Sequence, residues 1–451
     1  MKYRVNSVSA TTGKLILLAA TLLFFPGIRM ASGQMTQPNT VLVDTKQEDP
    51  NTKVFQNQAA GEFTPGKGFQ LVKNEYASLN LSMYGMARWV NQLPGEDTWY
   101  DHRDSLRTFD GRNDIYWHRA MIWLTGFLGT PNLTYMVTVW TVTTTQQTLV
   151  YGNLQYKINK HFTLGAGITP NVCIRSIQGP FPFFASTDRT MAEDGIRGGF
   201  TNGVFVMGEI SPRLKYTVAL GNNLSILGVK ATNLTRRFSK SVSLNWTPTT
   251  GEFGPRGGNG DFEYHEKLAT RFGASFCHSR ENRFNNVGAP SPDNTQVRLS
   301  DGLLFFEKGA LASGVTVIEA DFDLLAVDLG FKYKGFAFHS EFYYRTLSDF
   351  NADGEVPYSS ITDKGYSLQA SYMAVPKRLC VYGVNSMLID EFKRNPYEIG
   401  GGVNIYPVKT RSWRINLQGM YVYKSAGGGT FGLYTSGQTG PTFTIGTDIL
   451  L

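Results

Sequence analysis

Gly61-Glu-Phe-Thr-Pro-Gly66-Lys67-Gly68 comes close to a phosphate-binding loop. Such a loop needs Ser or Thr after its Lys to hold Mg²⁺, with a strand leading in and a helix leading out. Gly68 stands at that position and neither flank fits, so the motif fails. His265-Glu266 lacks the second His that a zinc protease places on the same helix face. His102, His118, His161, His265, His278 and His339 are scattered and read as ordinary polar side chains. Glu319, Asp321 and Asp323 alternate, which puts three carboxylates on one face of a strand. That arrangement suits acid/base work or a cation, but a plain charged wall explains it with less. No Ser/His/Asp arrangement stands out. The residues therefore predict no enzyme, no cofactor and no metal.

The cysteines add little chemistry. Cys173, Cys277 and Cys380 lie roughly 100 residues apart without CxxC spacing, so neither a zinc ribbon nor a disulfide scaffold is indicated. They read as small, partly buried side chains, with one disulfide left open. At the N-terminus, Lys2, Arg4 and Lys14 precede the apolar run Leu15–Phe25, and Ala31-Ser-Gly33 follows. A basic region, a short apolar core and small residues before a cleavage point describe a secretory signal over residues 1–33.

Composition narrows the class. Of 451 residues, 48 are Gly and 13% are aromatic, while only 18% are charged. That balance argues against a helical protein and against disorder. Beyond residue 33 no apolar run approaches the ~20 residues of a spanning helix. The net charge is +7, and removing the four basic residues of 1–33, which hold no acid, leaves +3. A nucleic-acid-binding domain carries far more clustered basic charge, so no nucleic acid partner is expected.

The elements that would position any functional side chain alternate with period 2. In Ala77–Asn91, Leu79, Leu81, Met83, Ala87 and Trp89 oppose Ser78, Asn80, Ser82, Tyr84 and Arg88. Ser412–Lys424 sets Trp413, Ile415, Leu417, Tyr421 and Tyr423 against Arg414, Asn416 and Gln418. A soluble sandwich and a membrane barrel both give this pattern. Sandwich strands are ~5–6 residues long, whereas these run to the length a tilted membrane strand needs. Sixteen segments fit, from 77–91 to 441–451, among them 267–278, 317–333, 336–347 and 364–374. Their connections alternate between tight and long, as in barrels with short periplasmic turns and long outer loops. Thr247–Glu266 is the exception, a long connection on the tight side. The strand 317–333 changes parity near Ala326, through a β-bulge or a misplaced boundary. The expected architecture is an all-β transmembrane antiparallel β-barrel of 16 strands over 77–451, with 34–76 a flexible periplasmic extension.

Parity then assigns a lumen. Inward basic positions are Arg88, Lys157, Arg213, Lys215, Lys267, Arg271, Lys332, Arg345, Arg414 and Lys424. Inward acids are Glu319, Asp321, Asp323, Asp328, Glu341 and Glu398. The basic excess predicts a mild preference for anions. Of these, Arg88, Lys157, Arg213, Lys215, Arg271, Arg345 and Arg414 are taken as pore-lining. The loop Asn171–Gly199 mixes Phe181, Phe183 and Phe184 with Arg175, Arg189 and Arg197, and its arginines are candidates for a constriction.

Several stretches resemble the porin family that includes the phosphate-selective porins O and P. They are Gly365-Tyr-Ser-Leu-Gln-Ala-Ser-Tyr-Met-Ala-Val-Pro-Lys-Arg-Leu379, Tyr397-Glu-Ile-Gly-Gly-Gly-Val-Asn-Ile-Tyr406 and Lys332-Tyr-Lys-Gly-Phe-Ala-Phe-His-Ser-Glu-Phe-Tyr-Tyr-Arg345. The resemblance covers about residues 68–451. It implies a bacterial outer-membrane barrel, a homotrimer, an inward third loop matching Asn171–Gly199 by position, and passive flux of small hydrophilic solutes. Phosphate is among the anions it suggests, and outer-membrane lipid is the partner it requires. A structural or adhesive barrel without an open pore is the alternative expectation.

Overall fold

In a lipid-facing sheet every backbone N–H and C=O has to be paired within the protein, which only a closed sheet achieves. The computed structural model of the chain, which describes residues 64–142, 147–169, 173–224, 231–283, 297–428 and 432–451, shows such a closure. The signal expected over 1–33, and 34–63 of the expected extension, lie outside the described residues.

Sixteen antiparallel strands form the wall: β1 (Ser78–Gln92), β2 (Asn113–Leu128), β3 (Thr130–Val142), β4 (Gln147–Lys157), β5 (Thr163–Thr169), β6 (Thr201–Ser211), β7 (Leu214–Gly221), β8 (Ser239–Trp246), β9 (Ala269–Asn282), β10 (Val317–Tyr333), β11 (Phe336–Ala352), β12 (Ser360–Val375), β13 (Leu379–Ile389), β14 (Tyr397–Ile405), β15 (Trp413–Tyr423) and β16 (Gly440–Leu450). Each pairs with the next, and β16 closes on β1 from Thr442↔Gln92 to Leu450↔Tyr84. No helix among the described residues is long and apolar enough to cross a membrane.

Burial along the strands is inverted relative to a soluble protein. Outward positions such as Val150, Leu154, Val204, Val242, Val327, Phe342, Ile399 and Ile445 are apolar and exposed, while Arg88, Asp363, Asn416 and Asp448 point inward and are buried. This is the alternation of a transmembrane barrel, apolar towards lipid and polar within. Outward aromatics gather near both rims, Trp246, Tyr333, Phe336, Tyr372 and Trp413 at one and Trp89, Trp117, Tyr344, Tyr397 and Tyr421 at the other.

The first rim carries the tight turns. Between β10 and β11, Lys334 and Gly335 both take positive φ, 46° and 85°, the two-residue hairpin turn whose twist matches the strands. The connection 247–268 lies on this rim too and is long, as its sequence implies. Residues 64–76, expected within a flexible extension, hold a strand, Phe69–Lys73, that pairs with the start of β1.

Two readings of β10 need correction. Its pairing with β9 is unbroken from Glu319 to Lys332, so parity does not switch at Ala326. From Glu319 onward odd positions face outward, and Glu319, Asp321 and Asp323 stand on the outer face instead of the lumen wall; the register shift against β11 lies at 317–321, where Val317 is buried. There Arg280 meets Glu319 at 3.3 Å, Asp321 at 3.1 Å and Asp349 at 2.7 Å, and His278 meets Asp323 at 2.9 Å. Phe322 and Leu324 face inward, in one apolar cluster with Leu299, Phe305, Phe306 and Leu311 of the preceding loop. β9, β11 and β12 are also longer than their alternation suggests.

Parity generates a stability prediction. Val327→Arg, outward at mid-strand, should cost about 2–4 kcal/mol when folding into bilayers is followed by urea titration. Thr217→Arg, inward on β7, should change stability by no more than about 0.5 kcal/mol.

Candidate functional site

The interior is filled by chain that folds back from both rims. After β5 the chain reaches Cys173, which is disulfide-bonded to Cys277 on the inner face of β9, with the Cα atoms 5.4 Å apart. The cysteines read as merely small and buried are therefore two partners and one free thiol, Cys380. Alternation turns Cys277 inward beside Ser275, whose hydroxyl donates to the Cys173 carbonyl at 2.8 Å. Two short helices follow, α1 (Arg175–Gln178) and α2 (Met191–Ile196). Thr190 and Glu193 cap the second reciprocally, which satisfies donors that water would otherwise have to reach.

This loop, 173–200, lies against the walls of β9–β16, β1 and β2, and the inward side chains there serve as its hydrogen-bond partners. Arg414 donates to the carbonyls of Phe184 at 2.6 Å and Ser186 at 3.2 Å while pairing with Asp448 at 2.7 Å. Arg345 donates to the Gly195 carbonyl at 3.0 Å and pairs with Asp363 at 2.5 Å. Glu341 accepts from the Arg175 amide and Glu398 from the Met191 amide, both at 2.7 Å. Asp188 at the loop's centre meets Arg88 at 3.2 Å and Arg119 at 3.0 Å. Burial works against the charge on Asp188, yet Arg119 and Arg88 hold its carboxyl below the usual range.

The loop arginines expected at a constriction are buried. Arg175 lies 3.8 Å from Asp328, which Arg271 also meets, at 2.5 Å. Burial lowers the Arg175 guanidinium to about 10. Arg189 reaches Ser176 Oγ at 3.3 Å and lies over the Phe184 ring, 5.5 Å from its centroid. Arg197 pairs with Asp194 at 3.3 Å.

From the opposite rim, the connection 247–268 enters beneath this loop. Arg175 Nη1 donates to Asn259 Oδ1 at 2.9 Å, and the Asn259 amide donates to the Phe183 carbonyl at 2.8 Å. Lys332 on β10 donates to the Phe253 carbonyl at 2.9 Å, and Arg411 pairs with Glu263 at 3.0 Å. Asp261, Glu263 and His265 bring possible metal-ligating atoms together. Each is already engaged, however: Asp261 accepts from His265 and from the Gly335 amide, and Glu263 holds Arg411. The hydrogen bond to Asp261 raises the His265 imidazole above its ordinary value, and Glu252 at 3.1 Å adds to it.

One sector of wall escapes this covering. On β4–β8 the inward residues Thr163, Met207, Glu209, Thr217, Ser241 and Asn245 retain partial exposure between the buried Gln155, Phe205, Ala219 and Ser243, and Lys157 and Lys215 are exposed at the tight-turn rim. Gly165 leaves room for the Phe205 ring, which would lie 2.1 Å from a Cβ at that position and which joins Ala219 and Met207 in a small apolar cluster. Of the pore-lining candidates, Arg88, Arg271, Arg345 and Arg414 thus face inward but are buried and paired, and Lys157 and Lys215 lie on the uncovered strip. Arg213 sits in the β6–β7 turn, donates to the Pro248 carbonyl and is exposed at the rim, off the lumen wall. The parity of 360–375 and 440–450 turns Asp363 and Asp448 inward, a legible signal; nothing in the sequence points to Asp188.

No protein-family model matches the chain, and no match was found among curated proteins. Among solved structures the chain is similar to outer-membrane expressed OmpT of Vibrio cholerae, with TM-score 0.52 and 12% identity over 84% of this chain and 99% of that one. The in-vitro folded form of that Vibrio cholerae protein gives 0.50 and 11%, over 85% and 99%. At such identity the likeness is one of fold.

Two outcomes follow from the packing. Asp188→Asn leaves two buried guanidinium groups without their carboxylate and should cost about 3–5 kcal/mol, read from the denaturation midpoint of the barrel. Cys277→Ser opens a loop closed over 104 residues and should cost up to about 4–5 kcal/mol on the chain-entropy account. Hydrogen exchange in that variant should rise at Ile174–Gln178 and stay slow at Met191–Ile196, which the wall holds independently.

Proposed function

We propose that this chain is a non-enzymatic outer-membrane channel for passive diffusion of small hydrophilic solutes, with a mild preference for anions. The observation that supports it is the uncovered inner strip of β4–β8. Its side chains are mostly neutral and hydroxylated or amide-bearing, which suits transient hydration contacts better than tight binding. Channels conduct when a solute is held weakly enough to leave again. The closed barrel, with the tight-turn rim towards the periplasm and the long loops outside, fits the outer membrane after removal of residues 1–33. The anion preference rests on the basic excess among the inward strand residues that the loop leaves exposed. Phosphate is one anion to compare with chloride, and a homotrimer is the assembly that the family resemblance suggests.

A second reading has its own observation. Inward residues of β9–β16 and β1 are almost all buried beneath in-folded loops, as in a barrel that serves structure or adhesion without a pore. Reconstitution into planar bilayers separates the two. The channel reading expects stepwise conductance, uptake of small neutral sugars into liposomes, and a reversal potential displaced slightly towards anions in a KCl gradient. Bilayers that stay silent with correctly folded protein would establish the closed barrel instead.

A further inference from the structure

We propose that Lys157 and Lys215 set the charge preference of the solute path, and that the arginines of the in-folded loop and the wall it covers do not. The inference rests on the channel reading above. It follows from how charge is distributed across the interior. Arg345 and Arg414 are buried in one-to-one pairs with Asp363 and Asp448, at 2.5 and 2.7 Å, while Arg88 shares Asp188 with Arg119 and Arg271 shares Asp328 with Arg175, all buried. A one-to-one pair is a dipole, whose field falls off faster than that of a single charge, and burial keeps the shared clusters as well as the pairs out of contact with a solute on the strip.

Lys157 and Lys215 differ in each respect. Lys157 ends β4 and pairs in register with Thr163 of β5; Lys215 lies opposite Asn245 of β8. The alternation that sends Leu154, Tyr156, Val218 and Leu220 to lipid turns both lysines inward. Both are exposed, and among the described residues neither forms an ion pair. Glu209 is the Cα partner of Lys215 and is the one acid on this stretch of inner wall. The neighbouring turns add Lys160 and Arg213 outside the lumen proper, and the connection 247–268 adds Glu252, Glu266 and Lys267 there. A solute crossing the strip therefore meets net positive charge at the tight-turn mouth, within the ~8–10 Å over which a charge acts in salt solution.

The test is the reversal potential of the full-length barrel in a KCl gradient, recorded with single-channel conductance. In Lys157→Glu/Lys215→Glu the anion-to-cation permeability ratio should fall at least about fivefold, the factor equivalent to the ~1 kcal/mol of a unit charge at 4 Å in water. Lys157→Arg/Lys215→Arg should keep the original ratio, and Lys240→Glu, on the outer face at the long-loop rim, should leave it unchanged. If the Glu pair fails to fold, Lys157→Gln/Lys215→Gln carries the same test with a smaller fall. A double variant that conducts normally with an unaltered ratio overturns this proposal and spares the channel. A wild-type barrel that never conducts overturns both.

Discussion

The pairing of β16 with β1 is the interaction on which the rest depends. Without it two strand edges would present unpaired backbone groups to hydrocarbon, where each costs several kcal/mol. Closure with antiparallel neighbours demands an even number of strands and brings the start of β1 and the end of β16 to one rim. It also fixes the period-2 code: outward residues have to satisfy lipid, so polar residues are confined to the inner face. A barrel of this circumference encloses more space than its own wall side chains fill. The interior is then occupied by loops, and those loops bring their own buried backbone polar groups.

The inner wall answers that second demand. Arg414, Arg345, Asn404 and Gln418 hydrogen-bond the backbone of 173–200, and the acids Asp448 and Asp363 neutralise the arginines that do so. A buried ion pair adds little net stability but is costly to break. These pairs therefore fix where the loop lies more than they stabilise the fold. The Cys173–Cys277 bond fixes its start at β9. The loop is thereby committed to one side of the lumen, and on β4–β8 a strip that includes Thr163, Thr217, Ser241 and Asn245 keeps partial exposure.

Much of this was legible in the sequence. Strand number, the alternation of tight and long connections, and the exceptional connection at 247–268 all follow from periodicity and turn residues. What periodicity cannot say is which medium each face meets. Near the long-loop rim Phe322 and Leu324 belong to the inner apolar cluster that includes Phe305 and Phe306, so the rule of apolar residues facing lipid misplaced Glu319, Asp321 and Asp323. Likewise, parity identified Arg88, Arg345 and Arg414 as inward but could not show that a loop distant in sequence covers them. The disulfide was illegible for the same reason, since Cys173 belongs to an irregular segment with no period to place it.

In the channel proposed above, water and solute reach the inner face along β4–β8 and not along the covered walls. Cysteine accessibility tests it directly: single cysteines at Thr217, Ser241 and Met207, and at Ser386, Asn416 and Ser367, exposed to a charged, membrane-impermeant thiol reagent during bilayer recording. Thr217→Cys, Ser241→Cys and Met207→Cys should react and lower conductance in steps, while Ser386→Cys, Asn416→Cys and Ser367→Cys should stay unmodified. Rapid modification and block at Ser386, Asn416 and Ser367, with no reaction at Thr217, Ser241 and Met207, would contradict it.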